Sequence, residues 1–134
     1  MTLIRRVVFD TSTLVSAALR VHSIPACALA KALGEYQLCS SEATLQELTT
    51  VLLRPKFDRY LARPEREAFV ALMNRVTVLW TVQEQVSDCR DPNDNKFLAL
   101  AIACQAERLI SSDEDLLTLN PYRGIPIVTP RDFL

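Results

Sequence analysis

Leu3-Ile4-Arg5-Arg6-Val7-Val8-Phe9 runs straight into Asp10, and far along the chain Arg108-Leu109-Ile110-Ser111-Ser112 runs straight into Asp113. Each run is short, apolar and bounded by polar residues, the pattern of a β-strand. Each ends on a carboxylate. In open α/β sheets, ligands bind just beyond the carboxyl ends of the strands. Asp10 and Asp113 are therefore predicted at one sheet edge.

Working outward, Thr13 to Arg20 is predicted as a short helix with Thr11 or Ser12 as N-cap. Pro25 opens a helix through Leu33, with Gly34 stopping it from the C′ position. Tyr36-Gln37-Leu38-Cys39 has the length of a second strand. Ser40 or Ser41 then caps a helix with Leu45, Leu48 and Leu52 on one face, closed by Pro55. A smaller helix is expected over Phe57 to Leu61, and another from Pro64 through Asn74. Val76-Thr77-Val78-Leu79-Trp80 reads as the clearest strand in the chain.

A polar loop, Asp88 to Asn95, leads into Lys96-Phe97-Leu98-Ala99-Leu100-Ala101-Ile102-Ala103-Cys104, which is apolar nearly all round and so expected to be buried on most sides. Asp91 and Pro92 resemble an N-cap with proline at N1, placing Asp94 at N3, where the helix dipole favours negative charge. Strands at Arg108 to Ser111 and Ile125 to Val128 follow. Strands alternating with helices predict an α/β fold with a parallel sheet and helices on both faces. At 134 residues, without repeats or linkers, one domain over 1–134 is expected.

Composition narrows the chemistry. Net charge is −1, so no global basic field announces a nucleic-acid partner, and any such contact must come from a local patch. Glycine occurs only as Gly34 and Gly124. Dinucleotide-binding and P-loop cradles need glycine for close backbone approach, so both are excluded. Cys27, Cys39, Cys89 and Cys104 lack C-x-x-C spacing and lie within or beside apolar runs, which reads as buried reduced thiols in a cytoplasmic protein. Arg5 and Arg6 precede too short an apolar run for a signal peptide or a membrane span.

Glu47, at the edge of the Leu45–Leu52 face, and Asp94 add two acids to Asp10 and Asp113. Singly, each has an ordinary explanation: Asp10, Asp94 and Asp113 as helix caps, Glu47 as a solvated boundary residue. Jointly they form an acidic cup. Two carboxylates about 4 Å apart repel by ~1 kcal/mol in water and ~4 kcal/mol at an effective dielectric near 20. Such a cup calls for raised pKa values or a hard cation, and all-oxygen ligation favours Mg²⁺ or Mn²⁺ over Zn²⁺. Asp91, Asn95 and Asp115 are candidate secondary ligands, each with a surface or capping alternative.

Four blocks carry a resemblance: Val7-Val8-Phe9-Asp10-Thr11-Ser12; Glu47-Leu48 with Arg54-Pro55-Lys56-Phe57; Asp91-Pro92-Asn93-Asp94-Asn95-Lys96-Phe97-Leu98; and Ile110-Ser111-Ser112-Asp113-Glu114-Asp115-Leu116-Leu117. In order and over essentially the whole chain, they resemble the PIN-domain family, in particular its bacterial VapC-like toxin–antitoxin branch. The resemblance implies a three-layer α/β/α sandwich around a parallel sheet. It implies a Mg²⁺- or Mn²⁺-dependent endoribonuclease with Asp10, Glu47, Asp94 and Asp113 as the metal-binding and catalytic acids. An antitoxin partner and a homodimer are implied too, with Leu14 to Leu19 as a candidate contact or simply core. Where the family often has Asp-Thr-Asn, this chain has Asp10-Thr11-Ser12, and Asn95 stands where many members carry another acid.

Arg54, Lys56, Arg59 and Arg63, interleaved with Phe57 and Tyr60, have the composition of an RNA-binding stretch, although a solvated helix face over core aromatics reads the same way. A receiver-like phospho-acceptor would need paired acids after the first strand, and a haloacid-dehalogenase-type phosphatase an Asp where Ser12 stands. The competing reading is a non-catalytic PIN-like module that binds a protein or RNA.

Overall fold

The computed structural model describes residues 3–134. Five parallel strands form one sheet in the order β3-β2-β1-β4-β5. In chain order the elements are β1 (Arg6–Phe9), α1 (Thr11–Leu19), α2 (Ile24–Glu35), β2 (Gln37–Ser40), α3 (Glu42–Leu52) and α4 (Arg63–Val76). Then come β3 (Val78–Leu79), α5 (Asn95–Cys104), β4 (Arg108–Ile110), α6 (Glu114–Leu117), β5 (Ile127–Val128) and α7 (Pro130–Phe133). The predicted parallel sheet with helices on both faces is what the chain adopts.

The two-residue pleat divides the core. Val7 and Phe9 of β1, with Leu38 and Ile110, face α1 to α4 and the closing Phe133. Val8, Cys39, Leu109 and Ile127 face the opposite way, onto α5 and Leu116. These are the three layers. α5 is buried from Phe97 to Ala101 and again at Cys104, as its all-round apolarity requires.

Several local expectations shift. Asp10, not Thr11 or Ser12, caps α1, its carboxylate accepting from Thr13 N–H. α2 starts earlier, capped by Ser23, and runs through Gly34 to Glu35, because the chain leaves it through an extended Tyr36 and has no need of the glycine's left-handed conformation. Of the two serines offered as caps, Ser41 is the one that caps α3, and Thr44 returns the bond. The stretch after Pro55 is a single 3₁₀ turn, Pro55–Phe57, not a helix to Leu61. Val76-Thr77-Val78-Leu79-Trp80 is mostly not strand: α4 extends to Val76 and only Val78 and Leu79 pair, at an exposed sheet edge. Its β-branched residues matched strand propensity, but an edge supplies few packing partners to lengthen the ladder.

Arg66 of α4 is fully buried. Its guanidinium donates to the carbonyls of Leu52 at 2.8 Å, Arg54 at 3.2 Å and Leu61 at 2.9 Å, and pairs with Asp58. This clamps the end of α3 to the turn that carries Phe57. All four cysteines are free thiols; Cys39, Cys89 and Cys104 are buried as expected, whereas Cys27 is exposed on α2. Among the described residues, no single helix is long and apolar enough to cross a membrane. In the Leu14 to Leu19 stretch, Val15 and Ala17 belong to the core, and α1 packs on α2 and α3.

Candidate active site

β1 and β4 are adjacent and parallel, so Asp10 and Asp113 emerge side by side at the carboxyl edge of the sheet. α3 brings Glu47 to the same place, and the 3₁₀ turn Pro92–Asp94 brings Asp94 from the opposite layer. All four line one cleft of about 380 Å³, with Ser12, Asp91, Asn93 and Phe57 among its other walls.

Asp10 is the deepest of the four, 2% exposed. Its Oδ2 accepts from the Ser111 hydroxyl at 2.5 Å and its Oδ1 from Thr13 N–H at 3.0 Å. Burial pushes its carboxyl pKa up, the neighbouring Asp113 charge adds to that, and the Ser111 and Thr13 hydrogen bonds oppose it. Capping and site-lining are both true of this residue.

Asp94 is placed quite differently. It is buried, yet its Oδ2 has no hydrogen-bond partner. Burial first, then Asp113, Asp91 and Asp10, raise its pKa to about 7. Asp94, Asp113 and Asp115 each bring a carboxylate oxygen within 4.8 Å of the others. Asp113 also caps α6, its Oδ1 accepting from Asp115 N–H at 2.9 Å. A buried carboxyl with one unpartnered oxygen, grouped with two further acids, fits a Mg²⁺- or Mn²⁺-type ion, which would relieve their mutual repulsion.

Glu47 is held by two donors. Lys96 Nζ donates to its Oε1 at 2.6 Å, and the Thr11 hydroxyl donates to its Oε2. The secondary candidates divide. Asp115 joins the oxygen cluster. Asp91 lines the cleft while capping its own turn through Asn93 N–H at 3.0 Å. Ser12 Oγ stands 3.4 Å from both Asp10 oxygens. Asn95 Oδ1 accepts from Cys89 N–H at 2.8 Å, so this amide braces the incoming loop.

Arg54, Lys56 and Arg59 are exposed, Lys56 lying 5.1 Å over the Phe57 ring and Arg59 5.3 Å over Tyr60. Phe57 is itself a wall of the cleft, so the basic stretch adjoins the acids. Sequence reasoning gave no role in the site to three supporting residues: Lys96, Ser111 and Thr11, the last offered only as a helix cap. Thr11 and Lys96 stand next to or near quoted acids, but their partners are far away in sequence. Only the fold reveals them.

A family model described as a PIN domain matches residues 6–115. The chain belongs to the PIN-domain family. This PIN domain is 30% identical over 139 aligned residues to the uncharacterised protein MJ1680 of Methanocaldococcus jannaschii, covering 96% of the chain and 89% of that relative. Its fold is similar to that of PAE2754 from Pyrobaculum aerophilum, with a TM-score of 0.65 at 13% identity over 96% of this chain and 85% of the other. It is also similar to VapBC2 from Rickettsia felis, solved bound to a DNA fragment from the promoter, with a TM-score of 0.59, 12% identity, and 92% and 98% covered. A third similar structure is Mycobacterium tuberculosis VapC20, described as a toxin that cleaves the sarcin-ricin loop, with a TM-score of 0.56, 12% identity, and 90% and 98% covered.

Proposed function

We propose that this PIN domain is a Mg²⁺- or Mn²⁺-dependent endoribonuclease that hydrolyses RNA phosphodiester bonds, and that it is the cytoplasmic toxin of a toxin–antitoxin pair. The observation that carries the chemistry is Asp94, whose buried Oδ2 has no partner and whose carboxylate groups with those of Asp113 and Asp115. The biological setting draws on the toxins among its structural neighbours. An antitoxin protein and a second copy of this chain are the partners that setting calls for.

In this reading Asp94, Asp113 and Asp10 hold the ion, with Glu47 completing the acidic cup and Asp115 within reach. The ion supplies positive charge for the anionic phosphodiester and Lewis-acid activation of water. The chain's own residues do the rest. Asp10, pinned by Ser111 and Thr13, sets the floor of the cleft. Glu47 presents an acceptor at its side wall. Arg54, Lys56 and Arg59 offer phosphate contacts next to the stacking face of Phe57.

The test is cleavage of a mixed-sequence single-stranded RNA with Mn²⁺, beside Asp10→Asn and an EDTA control. Cutting that disappears in both controls supports the nuclease. A folded protein that neither cuts nor binds Mn²⁺ is instead a binding module.

A further inference from the structure

Among the described residues, Glu47 is the only one of the four acids that has an ion-pair partner. That partner, Lys96, is the second residue of α5, two positions after Asp94. Its ammonium sits 2.6 Å from Glu47 Oε1, and both side chains are largely shielded from solvent, at 27% and 22% exposure. The other oxygen is taken by the hydroxyl of Thr11, the residue after Asp10. Glu47 is thus tied on one side to the start of α1 and on the other to the start of α5.

The consequence for a cation is direct. Asp94 offers an oxygen with no partner and Asp10 accepts only from neutral donors, whereas Glu47 is already paired with a positive charge. An ion approaching Glu47 would meet the repulsion of that ammonium, which also neutralises much of the charge that would attract it. Charge-assisted contacts of this kind are the stronger class of hydrogen bond, the more so when partly screened from water. Lysine suits the task because its ammonium donates without any lone pair to offer a metal.

We propose that Lys96, aided by Thr11, is a positioning residue that keeps Glu47 out of the metal's coordination shell and fixes it as a hydrogen-bond acceptor facing the cleft. The proposal rests on the metal-nuclease reading and sharpens it, since it divides the four acids into three that hold the ion and one that does not. It also assigns the otherwise unexplained lysine of the Asp91-to-Leu98 block a purpose beyond a surface charge. A purely structural ion pair between α3 and α5 would explain the contact equally well but would leave metal affinity alone.

Mn²⁺ titration, followed by the loss of the free-ion paramagnetic resonance signal, separates these cases. Glu47→Gln is expected to keep the wild-type Kd within about twofold, while Asp113→Asn weakens it about tenfold or more. Lys96→Met frees Glu47 and is expected to tighten Mn²⁺ binding about fivefold or more, a gain that Glu47→Gln added to it removes. Lys96→Arg retains a cation and should restore wild-type affinity. If Lys96→Met fails to fold, Lys96→Gln, which keeps a donor without the charge, takes its place with the same expected tightening, and unchanged affinity there overturns the proposal. Weakening by Glu47→Gln equal to that of Asp113→Asn overturns the proposal, and so does unchanged affinity in a folded Lys96→Met. Absence of Mn²⁺ binding by the wild type overturns the nuclease reading along with it. Weakening of that size by Glu47→Gln, in a protein whose wild type binds Mn²⁺ and cuts RNA, overturns this inference alone.

Discussion

The Ser111 hydroxyl donates to Asp10 Oδ2 at 2.5 Å and accepts from Asp113 N–H at 2.9 Å, joining the two strand-end acids through one oxygen. Ser111 is fully buried, and β1 and β4 are neighbours, so water cannot substitute. Ser111→Ala leaves the buried Asp10 carboxylate short of a donor. The expected cost is about 1–3 kcal/mol of stability, read as a lowered urea midpoint at unchanged slope. RNA cleavage should fall as well, because the Asp113 backbone loses its anchor.

Asp94 and Asp10 both have raised pKa values, Asp94 to about 7. A carboxyl raised in the folded state binds its proton more tightly there than in the unfolded chain, whose aspartates titrate near ~3.9. Metal-free protein is therefore most stable below about pH 4 as far as these groups are concerned, and that contribution is lost as pH rises through about 7. Melting in EDTA should show a higher Tm at pH 5 than at pH 8.

The same proton competes with the ion. Below about pH 7, Mn²⁺ affinity is expected to fall by up to about tenfold per pH unit, and to level off above it. Calorimetric titrations in buffers of different ionisation enthalpy would report the proton released. A pH-independent affinity would separate Asp94 from the metal.

Replacing Asp94 by Asn removes a charge that is buried among like charges. The metal-free variant is expected to melt above the wild type at pH 8, while Mn²⁺-dependent cleavage drops by at least about two orders of magnitude. Such opposition of stability and activity is common where function stores strain. A variant that is both less stable and fully active would refute the assignment.

Charge reversal at Arg54 and Arg59, both exposed beside Phe57, should weaken RNA binding and reduce the salt slope by about 0.7 for each phosphate left without its cation. Filter binding across a salt series measures this. Unchanged binding at low salt would remove the patch from the interface.

The strand-end carboxylates were legible because two local signals agree: a short apolar run, then an acid. Asp91-Pro92 likewise marked the turn that delivers Asp94. What stayed hidden depends on distance along the chain. Ser111 meets Asp10 across 101 residues and Lys96 meets Glu47 across 49, so neither partner is visible in a local window. Val76 to Trp80 misled for the reverse reason: its local propensity is genuine, but the sheet edge on which it lies rewards little of it. Gly34 misled because a glycine near a helix end permits a stop without enforcing one.

The order of the sheet also bears on how the domain is made. β4 inserts between β1 and β5, inside the sheet, although it is translated after most of the other elements. A nascent chain that has left the ribosome only through α5 already carries Asp10, Glu47 and Asp94, but has neither Ser111 to seat the first nor Asp113 to close the cleft. The cleft comes into existence near the end of the domain's synthesis, and a transcript broken before β4 encodes a polypeptide without it.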